Sequence, residues 1–316
     1  MRFSLTPEQE MIRKVVKDFA DKEVAPLAAE IDETCEFPAK NVQTMCDLKM
    51  MGIPFPQDLG GAGADNVSYA ITVEELSRAC STTGVICSAH TSLCCWPIYR
   101  YGTDDQKEKY LRPLLEGDLL GAFALTEPNA GTDASAQETR AVLDGDEYVL
   151  NGSKIFITNA GAADVFVIMA MTDKSKGVRG ISAFIVEKDT PGFSLGKKED
   201  KMGIRASDTR ELIFENCRIP KENLLGREGQ GFKIAMATLD GGRIGIASQA
   251  VGIAQRALDE SIQYVKEREQ FGRPIAKFQA VQFSIAEMAT KIEAARLLTY
   301  EAAEKKDRGE RYSKEA

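Results

Sequence analysis

From position 278 to 302, Phe278, Val281, Ile285, Met288, Ile292, Ala295, Thr299 and Ala302 step by three and four without interruption. Residues so spaced share one helical face, so the run is the narrow seam of a helix packed in a bundle. Such a helix needs partners, and Ile246, Ala250, Ile253, Ala257 and Ile262 supply a second stripe of the same period. Two helices alone do not close a four-helix bundle. Ser313 to Ala316 reads as a capped helix start cut off after one turn, so the chain is expected to stop within a domain.

Upstream the period changes twice. The first block opens on Thr6, Pro7 and Gln9, a capping residue, a helix-opening proline and a glutamine placed to cap back. Ile12, Val15, Val16, Phe19 and Ala20 then fall on one face. Pro54, Pro56, Gly60, Gly61 and Gly63 break the pattern before a second helical stretch from Tyr69 to Ala79. The middle block carries short β-prone runs at 148–150, 155–158, 165–171, 181–186 and 212–214, separated by turns. No alternation of strands with helices is present, which disfavours a dinucleotide-binding parallel sheet. GREGQG at Gly226 to Gly231 does not sit between a hydrophobic strand and a helix in a βαβ unit, as a phosphate loop would, and reads as a linker. The expected class is α+β, mainly α: an N-terminal helical domain over 1–118, a middle antiparallel β-domain over 119–225, and an incomplete C-terminal helical bundle over 226–316.

Composition narrows the function. With 316 residues and 43% apolar content the chain can bury real cores, and its formal charge of -8, with both signs mixed along it, disfavours a nucleic-acid partner. No apolar run reaches the roughly 18 residues of a membrane span, and the N-terminus has no signal-peptide core. The expected address is the cytosol, or an organelle matrix. Seven cysteines in a long chain favour free thiols in a reducing compartment. Cys80, Cys87, His90, Cys94 and Cys95 cluster without a CxxC, so they read as small buried residues and no metal site is expected. His90 is the sole histidine, and a nucleophile with a histidine base would have to use it.

Two segments carry chemistry. FALTEPNAGTD, Phe123 to Asp133, and NGSKIFITN, Asn151 to Asn159, resemble the flavin-binding signatures of the acyl-CoA dehydrogenases, and the resemblance runs from Thr6 to Ala316. It implies FAD as cofactor. Phe123, Leu125 and the Thr126 hydroxyl would meet the flavin's pyrimidine edge, whose alternating donors and acceptors suit backbone groups and a hydroxyl. Gly131 and Thr132 would approach the flavin diphosphate, with Thr132 also touching the acyl-CoA. Phe156 and Ile157 would cover the ring face away from substrate, and the Thr158 hydroxyl would hydrogen-bond N5; many relatives carry tryptophan where this chain has Phe156. In LDGGR, Asp240 and Arg243 would hold the CoA portion. Arg268 and Phe271 of REQFG, with Gln279, would reach the adenosine diphosphate end across a subunit boundary, arginine suiting a diphosphate through its planar fork.

The implied reaction is α,β-dehydrogenation of a fatty acyl thioester, in which a carboxylate takes the Cα proton. Most members carry that base in a glutamate-glycine motif that would lie beyond Ala316, and a minority carry it at the position of Gly242. Glu127 and Asp133 are expected to be structural, so no catalytic base is assigned within this chain, which is expected to be incomplete and inactive as it stands. LTEPNAGTDAS, DKMGIRASDT and TLDGGRIGIASQAVGIAQ look closest to short-chain members of the butyryl-CoA type. The implied partners are an acyl-CoA substrate, an electron-transfer flavoprotein and further copies of the chain in a homotetramer, a dimer of dimers. In a eukaryote the matrix meant is the mitochondrial one. Enoyl-CoA reductase, acyl-CoA oxidase and a non-catalytic flavin- or CoA-binding protein are the alternatives.

Overall fold

A computed structural model describes residues 4–316, which divide into two compact units: 4–29, Asp65–Val85 and Arg243–Ala316 form one, Glu30–Ala64 and Ile86–Gly242 the other.

The first unit is helical. Helix α1, Pro7–Phe19, starts as its sequence dictates: the Thr6 hydroxyl accepts from Gln9 N at 3.2 Å and the Gln9 side chain accepts from Thr6 N at 2.9 Å. Helix α2, Asn66–Ala79, is capped by Asp65 and buried along most of its length. Helix α3, Gly231–Glu267, begins in the second unit and enters the first at Arg243, and helix α4, Gln279–Asp307, follows it. The α4 seam is largely as its spacing predicts: Ile292, Thr299 and Ala302 are buried and Phe278, Val281, Ile285 and Met288 half-buried, while Ala295 is exposed. Glu74 of α2 ties the pair, accepting from Arg296 Nε at 2.8 Å and the Tyr300 hydroxyl at 2.7 Å.

The stripe expected on α3 is corrected. Ile246, Ala250, Ile253 and Ala257 are exposed, only Ile262 of the five packs inward, and the inward face otherwise carries Ile244, Val251 and Leu258. The helix is apolar around much of its circumference, so more than one stripe has the right period. Gly252 decides between them: a Cβ there would stand 2.2 Å from the Glu74 carbonyl oxygen, so only glycine lets α3 lie this close to α2. Residues 313–315 form a turn rather than the helix start expected at Ser313.

The second unit is built on an eight-stranded sheet. Its strands are β1 Gly121–Ala124, β2 Arg140–Asp144, β3 Glu147–Thr158, β4 Val165–Met171, β5 Ile181–Glu187, β6 Phe193–Lys198, β7 Thr209–Pro220 and β8 Leu224–Leu225. They run in the order β6-β7-β3-β2-β4-β5-β8, with β1 alongside β4. Pairing is antiparallel except where β4 meets β1 and, at one bridge, β2. Strand β4 reads VFVIMAM with no polar alternation because both its faces are covered. Val165, Val167, Met169 and Met171 pack with Leu111, Leu114, Leu115 and Ile234, whereas Phe166, Ile168 and Ala170 pack with Phe184, Leu212 and Phe214. No helix among the described residues is long and apolar enough to cross a membrane.

Candidate functional site

The two signature segments are neighbours in the second unit. FALTEPNAGTD leaves the sheet at the end of β1, and NGSKIFITN is the second half of β3. Ile155 N donates to Thr126 O at 2.9 Å, joining them backbone to backbone. Lys154 Nζ joins them again by side chain, donating to Leu125 O at 3.1 Å, Glu127 Oε1 at 2.7 Å and Gln137 Oε1 at 3.0 Å.

Strand β3 is distorted here. Its register with β7 shifts between Lys154 and Ile157, and Phe156 takes φ 60°, a left-handed conformation uncommon for a bulky side chain. Phe156 is also 60% exposed, so an aromatic ring is held outward at a conformational cost of about 1–3 kcal/mol. Asn159 is left-handed too, at φ 67°. Between them Ile157 is buried and Thr158 half-buried, and the Thr158 hydroxyl bonds no other described residue.

On the facing segment both carbonyls are taken, Leu125 O by Lys154 and Thr126 O by Ile155. The Leu125 and Thr126 N–H groups and the Thr126 hydroxyl have no partner among the described residues, and Phe123 is half-buried beside them. A Cβ at Gly131 would meet nothing within 4 Å, and Gly131 and Thr132 are exposed. The result is an open cradle: neutral donors and two hydroxyls, one aromatic face, and a glycine that leaves room for backbone approach. That donor set fits a planar, hydrogen-bonding heteroaromatic ring such as a flavin without introducing charge.

Glu127 is not free to do chemistry in this cradle. It is buried, pairs with Lys154, and accepts from Glu138 N at 2.6 Å and Thr139 N at 3.2 Å. Burial alone would raise its carboxyl, but the Lys154 ammonium and these donors hold it below the usual carboxylate range. Burial pulls Lys154 down to about 8 against the attraction of Glu127, which leaves both partners charged at neutral pH. Asp133 is exposed and turned back on Ser135, whose hydroxyl and N–H lower its carboxyl.

The histidine and its cysteines lie beneath β1. Gly121 N donates to His90 Nδ1 at 3.0 Å, so the ring proton sits on Nε2, 3.1 Å from Leu114 O and 3.2 Å from Cys95 Sγ. Burial drives the imidazole down to about 4 and the Cys95 thiol well up, so both are neutral and no thiolate–imidazolium pair forms.

Asp240 is half-buried and Arg243 exposed, three residues apart on α3 at the point where the chain passes from one unit to the other. In the first unit Glu269–Gln270 and Arg273–Pro274 form a two-stranded hairpin. At its tip Phe271 is 92% exposed with φ 55°, and Arg268 and Gln279 are exposed nearby in sequence. Reading the sequence missed Lys154 and Asn159 as parts of the cradle. The available signal was parity: Lys154 continues the inward series of Tyr148 and Leu150 across a glycine bulge, and a lysine at a core position needs an acidic partner.

Models of the acyl-CoA dehydrogenase N-terminal, middle and C-terminal domains match residues 6–118, 122–217 and 229–316. A short-chain specific acyl-CoA dehydrogenase of Clostridium acetobutylicum is 60% identical over 316 residues, covering 100% of this chain and 83% of that protein. An acryloyl-CoA reductase (NADH) of Anaerotignum propionicum is 53% identical, covering 100% of this chain and 80% of its own. The solved butyryl-CoA dehydrogenase of Megasphaera elsdenii superposes with a TM-score of 0.98 at 51% identity, covering 100% of this chain and 83% of that one.

Proposed function

The chain belongs to the acyl-CoA dehydrogenase family, and on that premise we propose that it oxidises a short-chain acyl-CoA of the butyryl-CoA to crotonyl-CoA type. FAD is the cofactor, and electron-transfer flavoprotein is the proposed acceptor. The observation that carries this reading is the cradle: uncommitted donors at Leu125, Thr126 and Thr158 beside an outward Phe156 held left-handed.

When bound, FAD supplies the hydride acceptor for the acyl Cβ. The protein's part is to hold and orient. The Leu125 and Thr126 N–H groups and the Thr126 hydroxyl match the flavin's pyrimidine edge, with Phe123 beside them. Phe156 covers one ring face, while the Ile157 side chain expected beside it is turned into the core beneath, and the Thr158 hydroxyl donates toward N5. Gly131 and Thr132 admit the diphosphate, Thr132 also meeting the acyl-CoA, whose CoA portion Asp240 and Arg243 hold. Arg268, Phe271 and Gln279 serve the flavin of a second copy, in keeping with the exposed hairpin tip and a homotetramer. The proposed domain limits are 1–118, 119–225 and 226–316, and the proposed address is a bacterial cytosol or a mitochondrial matrix.

No base is assigned. Glu127 is held by Lys154, Asp133 by Ser135, and position 242 is a glycine.

Chain length is tested by the perturbation that acyl-CoA binding imposes on the bound flavin's visible spectrum. Butyryl-CoA is expected to bind more tightly than octanoyl-CoA or isovaleryl-CoA, by about tenfold. Tightest binding of octanoyl-CoA would overturn the short-chain reading. The Anaerotignum relative, named as a reductase, favours a second reading in which the same site saturates an enoyl-CoA. Tighter binding of crotonyl-CoA by the reduced flavoprotein than of butyryl-CoA by the oxidised form would favour it.

A further inference from the structure

Strand β1 has a sheet neighbour on one edge only, β4. Gly121 and Leu125 are nonetheless buried, and buried backbone groups require partners. Side chains supply them. His90 Nδ1 accepts from Gly121 N at 3.0 Å, Asn159 Nδ2 donates to Gly121 O at 3.3 Å, and Lys154 Nζ donates to Leu125 O at 3.1 Å.

Lys154 is the most committed of the three. It is 0% exposed, and its three ammonium protons match three acceptors, on Leu125, Glu127 and Gln137. Those acceptors are fixed in turn: Glu127 accepts from Glu138 N and Thr139 N, and Gln137 Nε2 donates to Ala134 O at 2.9 Å. The cluster therefore closes the whole loop from Leu125 to Thr139 onto strand β3. Stability alone does not account for it, because a buried ion pair is commonly no better than a well-packed apolar pair of the same volume. What the ammonium does that an apolar residue cannot is bind the Leu125 carbonyl and point it inward. Because a carbonyl and the next residue's N–H lie anti to each other in one peptide plane, fixing the Leu125 carbonyl on Lys154 turns the Thr126 N–H to the opposite side, where it has no partner among the described residues.

We propose that Lys154, braced by Glu127 and Gln137, is a positioning residue for the flavin: it holds the Leu125–Thr126 peptide with the Thr126 N–H aimed at the pyrimidine edge. The proposal rests on the flavin reading of the site and adds to it a role for three side chains that do not touch the ring.

The test compares FAD affinity and the bound-flavin spectrum with thermal stability in Lys154→Met and in the double variant Lys154→Met/Glu127→Leu. The single variant strands a buried carboxylate and is expected to lose both stability and FAD. The double variant removes both charges at similar volume, and its melting temperature is expected to return near that of the wild type. Its FAD dissociation constant is expected to stay at least about tenfold weaker, with a shifted flavin band, because nothing then orients the Leu125 carbonyl. Recovery of affinity and spectrum together with stability would overturn the proposal. If the double variant does not fold, Gln137→Met is read the same way: weaker FAD at nearly unchanged melting temperature supports the role, and parallel loss of both or of neither contradicts it. Failure of the wild type to bind FAD would instead sink the flavin reading itself.

Discussion

Replacement of His90 by alanine is expected to cost the fold about 4 kcal/mol, measured as the change in unfolding free energy in urea. Three losses combine: the Gly121 N–H and the Leu114 carbonyl lose a buried partner, and the ring leaves a cavity. A second consequence appears without mutation. The imidazole titrates near 6.5 when unfolded and about 4 when folded, so between those values the unfolded chain binds the extra proton. Stability is therefore full above pH 6.5 and falls as pH is lowered toward 4, by roughly 3 kcal/mol in total. Because His90 is the only histidine, no other imidazole contributes to that slope. A stability profile flat from pH 7 to 5 would contradict the buried, neutral ring.

The second large effect concerns the cofactor and spares the fold. Gly131→Leu places a side chain where nothing stands within 4 Å and where the backbone is not left-handed, so the melting temperature is expected to stay within a few degrees. The same side chain fills the space through which the cradle would admit the flavin diphosphate. A loss of about a hundredfold in FAD affinity is expected, the size of one well-made hydrogen bond to a charged group. Calorimetry of the stripped protein measures the affinity and scanning calorimetry the fold. Loss of both together would mean that the loop is part of the core.

The order of helices, sheet and helices was legible because each block keeps its own period over many residues. The α4 seam is one long unbroken count of threes and fours, and Thr6 with Gln9 makes the cap its spacing predicts. The α3 stripe was not legible. Its several apolar faces satisfy the same period, and the choice is made by Gly252 against Glu74, a contact between residues 178 positions apart that no local pattern contains. Purely antiparallel pairing likewise left out the parallel run of β1 along β4, because pairing partners leave no mark on either strand's composition. At the site, motif resemblance singled out the segments and the outward residues Thr126, Phe156 and Thr158. It was silent on Lys154, Asn159 and His90, which face inward and act on backbone groups. Parity along β3 and the solitary buried histidine were the only hints. The left-handed turn at Phe156 shows only in the backbone, since phenylalanine does not ordinarily mark such a position as glycine does.

The central claim is that the facing segments Phe123 to Asp133 and Asn151 to Asn159 hold FAD. Titration of FAD into the stripped chain, followed by flavin fluorescence and run in parallel on Gly131→Leu, tests it most directly. Saturable quenching at one FAD per chain in the wild type, with the curve of the variant displaced by about a hundredfold, is the predicted result. No saturable binding by the wild type, or equal binding by a folded Gly131→Leu, would contradict it.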